Sequence, residues 1–282
     1  MPGVFVFLWS TGFIGAKLGL PHAPPLTFLT LRYALVAALL VGVAIVARAP
    51  WPRSAVEARH YAVAGLLVHG LYLGGVFVGI SLGVEAGVSA LIVGVQPLLV
   101  AAFAGVALGE RVTGRQWLGL ALGLLGVAMI LARKLGHGVG DALGVLACVA
   151  ALGGITAGTL YQKRHCAGMD LRTGNVVQFG ASAVVTGLLA LVFEDVRAIA
   201  WTGEFVFALA WLVLVLSLGA ISLLYLLIRR GAASRVASLF FLVPPCTALV
   251  AWPLFGERLG AVELLGMALA TGGVALASRA PN

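Results

Sequence analysis

Leu108-Gly109-Glu110-Arg111-Val112 returns 147 residues later as Phe255-Gly256-Glu257-Arg258-Leu259, and the flanking sequence returns with it. From Ala90 to Ala128 the ungapped offset matches at 14 of 39 positions, among them Pro97 with Pro244, Gly119 with Gly266 and Gly126 with Gly273. Chance in so Ala-, Leu-, Gly- and Val-rich a chain would give roughly four. The repeat is weaker in the front of each half, where an offset of 146 sets Lys17 on Lys163 and Arg32 on Gln178. The chain reads as two related units, 1–134 and 140–282, joined by Leu135-Gly136-His137-Gly138-Val139.

The surroundings of that repeat are those of a membrane protein. Of 282 residues, 61% are hydrophobic and 10% charged, and the mean hydropathy is +1.09. That is too little polar sequence to coat a soluble globule of this size. Crossing a hydrocarbon core takes about 20 apolar residues of helix. Between its charges the chain divides into ten such spans: 2–20, 25–47, 61–82, 86–108, 116–132, 142–162, 173–193, 205–228, 236–255 and 262–278. The fold class expected is all-α and polytopic, with ten transmembrane helices. Five spans per unit is an odd number, so equivalent helices cross in opposite senses and the halves form an inverted repeat.

The net charge of +8 would suggest nucleic acid in a soluble protein. Here it follows the membrane. With the N-terminus cytoplasmic, twelve Lys and Arg fall inside, including Arg111, Arg115, Lys163, Arg164, Arg229 and Arg230. The outside receives Lys17, Arg133, Lys134, Arg197 and Arg258, and Arg32 lies within span 2. This positive-inside bias places both termini in the cytoplasm and leaves no charge excess for nucleic acid to explain. Cys148, Cys166 and Cys246 are odd in number and scattered, which argues against a disulfide framework or a metal site. The first apolar stretch lacks a positive n-region and an evident cleavage site, and is kept as an uncleaved helix.

Two five-helix units, Leu31-Arg32-Tyr33-Ala34 early in span 2, a proline within spans 4 and 9, and the Gly-Glu-Arg turn before spans 5 and 10 resemble the EamA-type branch of the drug/metabolite transporter superfamily. The resemblance covers the full length. His69-Gly70-Leu71-Tyr72 is similar to the bacterial aromatic amino acid exporters of the YddG type. What this implies is a bacterial inner-membrane exporter of amino acids or related metabolites, a monomer or homodimer without cofactor. Its central cavity would be lined by spans 1 to 4 and 6 to 9. Spans 5 and 10, with small residues at Gly119, Gly123 and Gly126 and at Gly266, Ala270 and Gly273, would serve as scaffold or dimer contact.

The candidate site residues are the few polar or aromatic groups at membrane depth. Pro97 and Pro244-Pro245 each delete a backbone donor in mid-span, which predicts bent helices framing the site and flexing as access alternates. His69 and Tyr72, three residues apart, are expected on one face of span 3 as binding groups. Trp9, Ser89, Gln96, Gln178, Ser217, Tyr225 and Ser238 would complete a polar but uncharged cavity. Arg32 cannot face lipid unpaired and is assigned to a structural or gating ion pair. Glu110 and Glu257, at the two turns, are assigned a structural role at helix starts.

No Asp or Glu occupies the middle of any span. A small multidrug-type proton antiporter needs a titratable carboxylate there, so uncoupled export is expected, with a proton-coupled multidrug exporter or a sugar-phosphate or nucleotide-sugar exchanger as the alternatives. An enzyme is not expected. Gly180-Ala181-Ser182-Ala183 is like an intramembrane serine protease motif, yet no His follows His165 to serve as its base. Phosphate-binding loops and metal-ligand spacings are absent from the sequence.

Overall fold

The structure is a computed structural model and describes residues 1–84, 89, 92–132, 141–243, 245–246, 249–250 and 260–278. These residues form ten helices and no strand: α1 Pro2–Gly19, α2 Pro25–Val46, α3 Ala55–Ser81, α4 Gln96–Leu108, α5 Gly114–Ala132, α6 Ala142–His165, α7 Thr173–Phe193, α8 Gly203–Arg230, α9 Ala233–Leu242 and α10 Ala261–Ser278. Helices α2, α3, α6, α7 and α8 are each long and apolar enough to cross a membrane.

Helix starts follow the local chemistry. Helix α3 begins six residues before the apolar run, because Ser54 caps it and Glu57 reaches back past it: Glu57 N–H donates to Ser54 Oγ at 3.1 Å and Arg53 N–H to Glu57 Oε2 at 2.7 Å. A Ser-x-x-Glu box satisfies two orphan amides and is worth about 1 kcal/mol. Thr113 and Gln116 do the same for α5, at 2.9 Å and 3.3 Å. Helix α4 ends at Gly109, whose left-handed backbone (φ 68°) lets Glu110 N–H reach back to the Ala104 carbonyl at 3.2 Å. The glycine of the repeated turn is thus the helix terminator. Helix 4 is broken more sharply than a bend. The chain turns at Gly94 and Val95, and Pro97 sits in the first turn of the helix that restarts at Gln96, where its missing N–H costs nothing. Pro245 is buried in helical backbone beyond the end of α9, and Pro244 lies outside the described residues.

Two long helices carry the same irregularity. Leu66–Leu73 in α3 and Leu212–Ala220 in α8 are wound as π-helix, and their starts are 146 residues apart. Contacts recur between helices at corresponding places in the two halves of the chain. Helix α1 lies on α8 as α6 lies on α3, α4 on α6 as α9 on α1, and α3 on α7 as α8 on α2. Helices α2 and α7 pair, as do α4 and α9, and α5 and α10. The α5–α10 contact is close enough to require glycine. A Cβ on Gly119 would stand 2.6 Å from Gly273 O, and one on Gly273 would stand 2.5 Å from Gly119 O. Small residues let backbones meet, and dispersion between them replaces the hydrophobic driving force that lipid removes.

Candidate functional site

Helices α1, α3 and α4 gather Trp9, Tyr72 and Gln96 around a hollow whose wall also carries Ser89, Val76 and Phe240. A second hollow shares Trp9, Tyr72 and Val76 and is walled further by Arg32, Phe77 and Leu216. Trp9 is braced by Phe5 at 5.3 Å and by Phe240, edge-on, at 5.1 Å. Its indole therefore presents a fixed apolar face. The polar atoms on these walls are sparsely used. Gln96 Nε2 donates to Thr159 Oγ1 at 3.3 Å, while its Oε1, also buried, has no partner. Ser89 Oγ is met by the Cys148 thiol at 3.4 Å. A concave, largely aromatic pocket with few convergent polar atoms is the usual form of a small-molecule site.

Arg32 is 4% exposed and is not ion-paired as expected. Its Nε donates to Ser217 Oγ at 3.0 Å, and its guanidinium lies 5.9 Å from the Tyr33 ring. No described carboxylate stands within ion-pairing distance; among the described residues the side-chain ion pairs join His22 to Glu204, Lys163 to Glu110 and Arg172 to Asp170.

His69 and Tyr72 do not share a face. The wider π coil turns through less angle per residue, so three residues fall further short of a full turn and the two side chains splay apart. Tyr72 faces the hollows. His69 is fully buried, stacked on Phe179 with ring centroids 4.2 Å apart, and its Nε2 is 3.4 Å from Tyr225 Oη. From there Tyr225 Oη donates to Gln178 Oε1 at 2.6 Å, and Gln178 Nε2 donates to Gln162 Oε1 at 2.9 Å. Of the predicted residues, then, Trp9, Tyr72, Ser89 and Gln96 come together at one hollow with Arg32 at its neighbour. His69, Gln178 and Tyr225 form a separate network tying α3, α6, α7 and α8. Ser217 orients Arg32, and Ser238 is spent on the Arg235 carbonyl at 2.8 Å.

Glu110 reaches across the bundle. Its carboxylate accepts from Ala233 N–H at 2.9 Å and Ser234 Oγ at 3.4 Å, at the start of α9, and pairs with Lys163 of α6 at 3.0 Å. Lys163 also donates to the Gly231 carbonyl. One acid thus fastens α4, α6 and α9 through an ion pair and a helix N-terminus. Sequence reading missed a counterpart, Glu194, which ends α7 and accepts from Leu26 N–H, Thr27 N–H and Thr27 Oγ1 at 2.8, 2.7 and 2.8 Å, capping α2. A Glu after an apolar span gives no hint of which helix start it serves. Glu257 lies outside the described residues, as does the Lys17 side chain. In the α6–α7 loop, hydrogen bonds from Arg172 hold the Asp170 carboxyl below the usual carboxylate range, and burial pushes the Cys166 thiol up to about 12. Among the described residues no group of His, Cys, Asp or Glu could hold a metal ion.

An all-helical chain whose helices exchange places in packing, around hollows at mid-helix, has the architecture of a membrane transporter. The model of the EamA-like transporter family matches residues 4–132 and again 142–279, and the chain belongs to that family. It is 30% identical to the Bacillus subtilis transporter YvbV, over 94% of this chain and 86% of that one. A probable amino-acid metabolite efflux pump of Escherichia coli is 26% identical, over 94% and 89%. The Escherichia coli inner membrane transporter YedA is 24% identical, over 92% and 83%. A solved crystal structure superposes with a TM-score of 0.82 at 20% identity, covering 98% of this chain and 95% of that one. The protein is a multi-pass membrane transporter.

Proposed function

We propose that the protein exports amino acids with large apolar or aromatic side chains, or close metabolites, across the bacterial inner membrane by alternating access. The observation that carries this is the pair of hollows sharing Trp9, Tyr72 and Val76, an aromatic passage with Gln96 on one side and Arg32 on the other. Similarity to the Escherichia coli probable amino-acid metabolite efflux pump supports the substrate class, and similarity to the inner membrane transporter YedA supports the membrane. The two units, 1–134 and 140–282, stand as oppositely oriented copies, with both termini cytoplasmic. The Glu110–Lys163 clasp then closes the cytoplasmic side. By the repeat, Glu257 corresponds in sequence to Glu110 and Lys17 to Lys163. No carboxylate lines the hollows among the described residues, which favours uniport over proton exchange.

The test is uptake of a labelled amino acid panel into proteoliposomes, with and without an imposed pH gradient. Phenylalanine and leucine should equilibrate faster than in protein-free vesicles and be indifferent to the pH gradient. Rates equal to protein-free vesicles for every amino acid would overturn the substrate class, and accumulation driven by the pH gradient alone would overturn uniport.

A further inference from the structure

A guanidinium withdrawn from water needs a counter-charge, because the desolvation of an unpaired ion costs several kcal/mol. Arg32 is nearly inaccessible, yet no described carboxylate is within reach. Of its five N–H donors, Nε is used by Ser217 at 3.0 Å. The two terminal nitrogens have no hydrogen bond to a described residue. That bond fixes the plane of the guanidinium and leaves the terminal donors as a fork. Arg32 lines the hollow with Trp9, Tyr72, Phe77 and Leu216, and among the described residues of that wall nothing else carries charge. A planar fork with free donors in an apolar pocket is matched by a carboxylate, which takes two parallel hydrogen bonds and supplies the missing charge.

We propose that Arg32 is the anion anchor of the transport site: it binds the carboxylate of the substrate, whose apolar or aromatic body lies against Trp9 and Tyr72. The inference rests on the reading of these hollows as the transport site, and it narrows the ligand to monocarboxylates with an apolar body. Ser217 acts as a positioning residue, holding the fork toward the cavity. The buried Gln96 Oε1, unpartnered in the adjoining hollow, gives an acceptor for an N–H or O–H elsewhere on the ligand. The carboxylate carries recognition, and the ammonium group of an amino acid is not required for it.

The experiment is ligand protection of the purified protein against thermal unfolding, titrated with 3-phenylpropanoate, phenylalanine, phenylalaninamide and phenethylamine, beside transport of labelled phenylalanine. The two carboxylates should protect and the amide and amine should not. In Arg32→Gln the protective concentration of 3-phenylpropanoate should rise at least tenfold, with Arg32→Lys intermediate. Ser217→Ala, which keeps the charge, should raise it several-fold. If Arg32→Gln does not assemble, the discrimination in the unaltered protein and the Ser217→Ala shift decide the matter. Equal protection by acid and amide, or none by 3-phenylpropanoate, would overturn the anchor even if phenylalanine is transported. Protection by 3-phenylpropanoate that depends on Arg32 without phenylalanine transport would sustain the anchor and refute the amino acid reading alone.

Discussion

Replacing Gly126 by alanine tests whether close backbone packing of α5 on α10 holds the scaffold. A methyl there would stand 2.5 Å from the Gly266 carbonyl oxygen and 3.0 Å from Ala270 Cα, where ordinary contact begins at 3.4 Å. The obstructing atoms are backbone, so no side chain can swing away and the helices must part by nearly 1 Å. Overpacking of this kind costs about 1–3 kcal/mol, and a gap that wide forfeits roughly a quarter to a half of each dispersion contact nearby. Gly272, on α10, is the control: it is exposed, and a Cβ there meets nothing within 4 Å. Alanine at Gly272 gains helix propensity, about 1 kcal/mol. Gly126→Ala gains the same propensity, so the two variants should differ by the overpacking alone, about 1–3 kcal/mol, or about 2–10 °C in melting temperature. Melting in one detergent, followed by loss of the monodisperse peak in size-exclusion chromatography, reads this directly. If Gly126→Ala and Gly272→Ala melt together, the α5–α10 contact does not hold the fold as argued.

Tyr72→Ala should lower phenylalanine transport at least tenfold at matched membrane level. His69→Ala, which empties the stack on Phe179, should instead lower the melting temperature; transport loss confined to His69→Ala would move the site to its network. Cysteine labelling in intact cells should find the Gly109-Glu110-Arg111 turn cytoplasmic and the Gly256-Glu257-Arg258 turn outside, and Glu110→Gln should increase labelling of a cysteine at Ser234. Both turns on one side would end the inverted arrangement. For Asp170 the folded carboxyl titrates below the unfolded value of about 3.9, so its contribution is present above that value and lost as pH falls through the folded one. Asp170→Asn should thus differ from the unaltered protein to the same extent from pH 5 to 8, and the gap should close in stronger acid.

What could be read from the residues was the part written in repetition and hydropathy. The Gly-Glu-Arg turn, Pro97 and the small residues of helices 5 and 10 each mark a backbone demand, and the structure meets the described ones with a left-handed glycine, a helix restart and a close helix pair. The Ser54-x-x-Glu57 box was also present in the sequence, though the hydropathy boundary at Tyr61 obscured it. Tyr72 and Trp9 could be named from type and depth. The separation of His69 from Tyr72 could not, because it depends on a change of helical winding that runs of Leu and Val do not encode. The lack of a carboxylate partner for Arg32 was equally hidden. A span with no acid shows that the partner must come from another helix, and only packing shows that the neighbour is Ser217.

The central claim is that a single site in these hollows is exposed alternately to the two sides, and counterflow tests it most directly. Proteoliposomes loaded with unlabelled phenylalanine and diluted into a trace of labelled phenylalanine should accumulate label transiently above equilibrium, at a rate that saturates, and Tyr72→Ala should abolish the overshoot. Label that enters only to equilibrium, with no stimulation by internal phenylalanine and no saturation, would mean an open pore, and the account of an alternating site would be wrong.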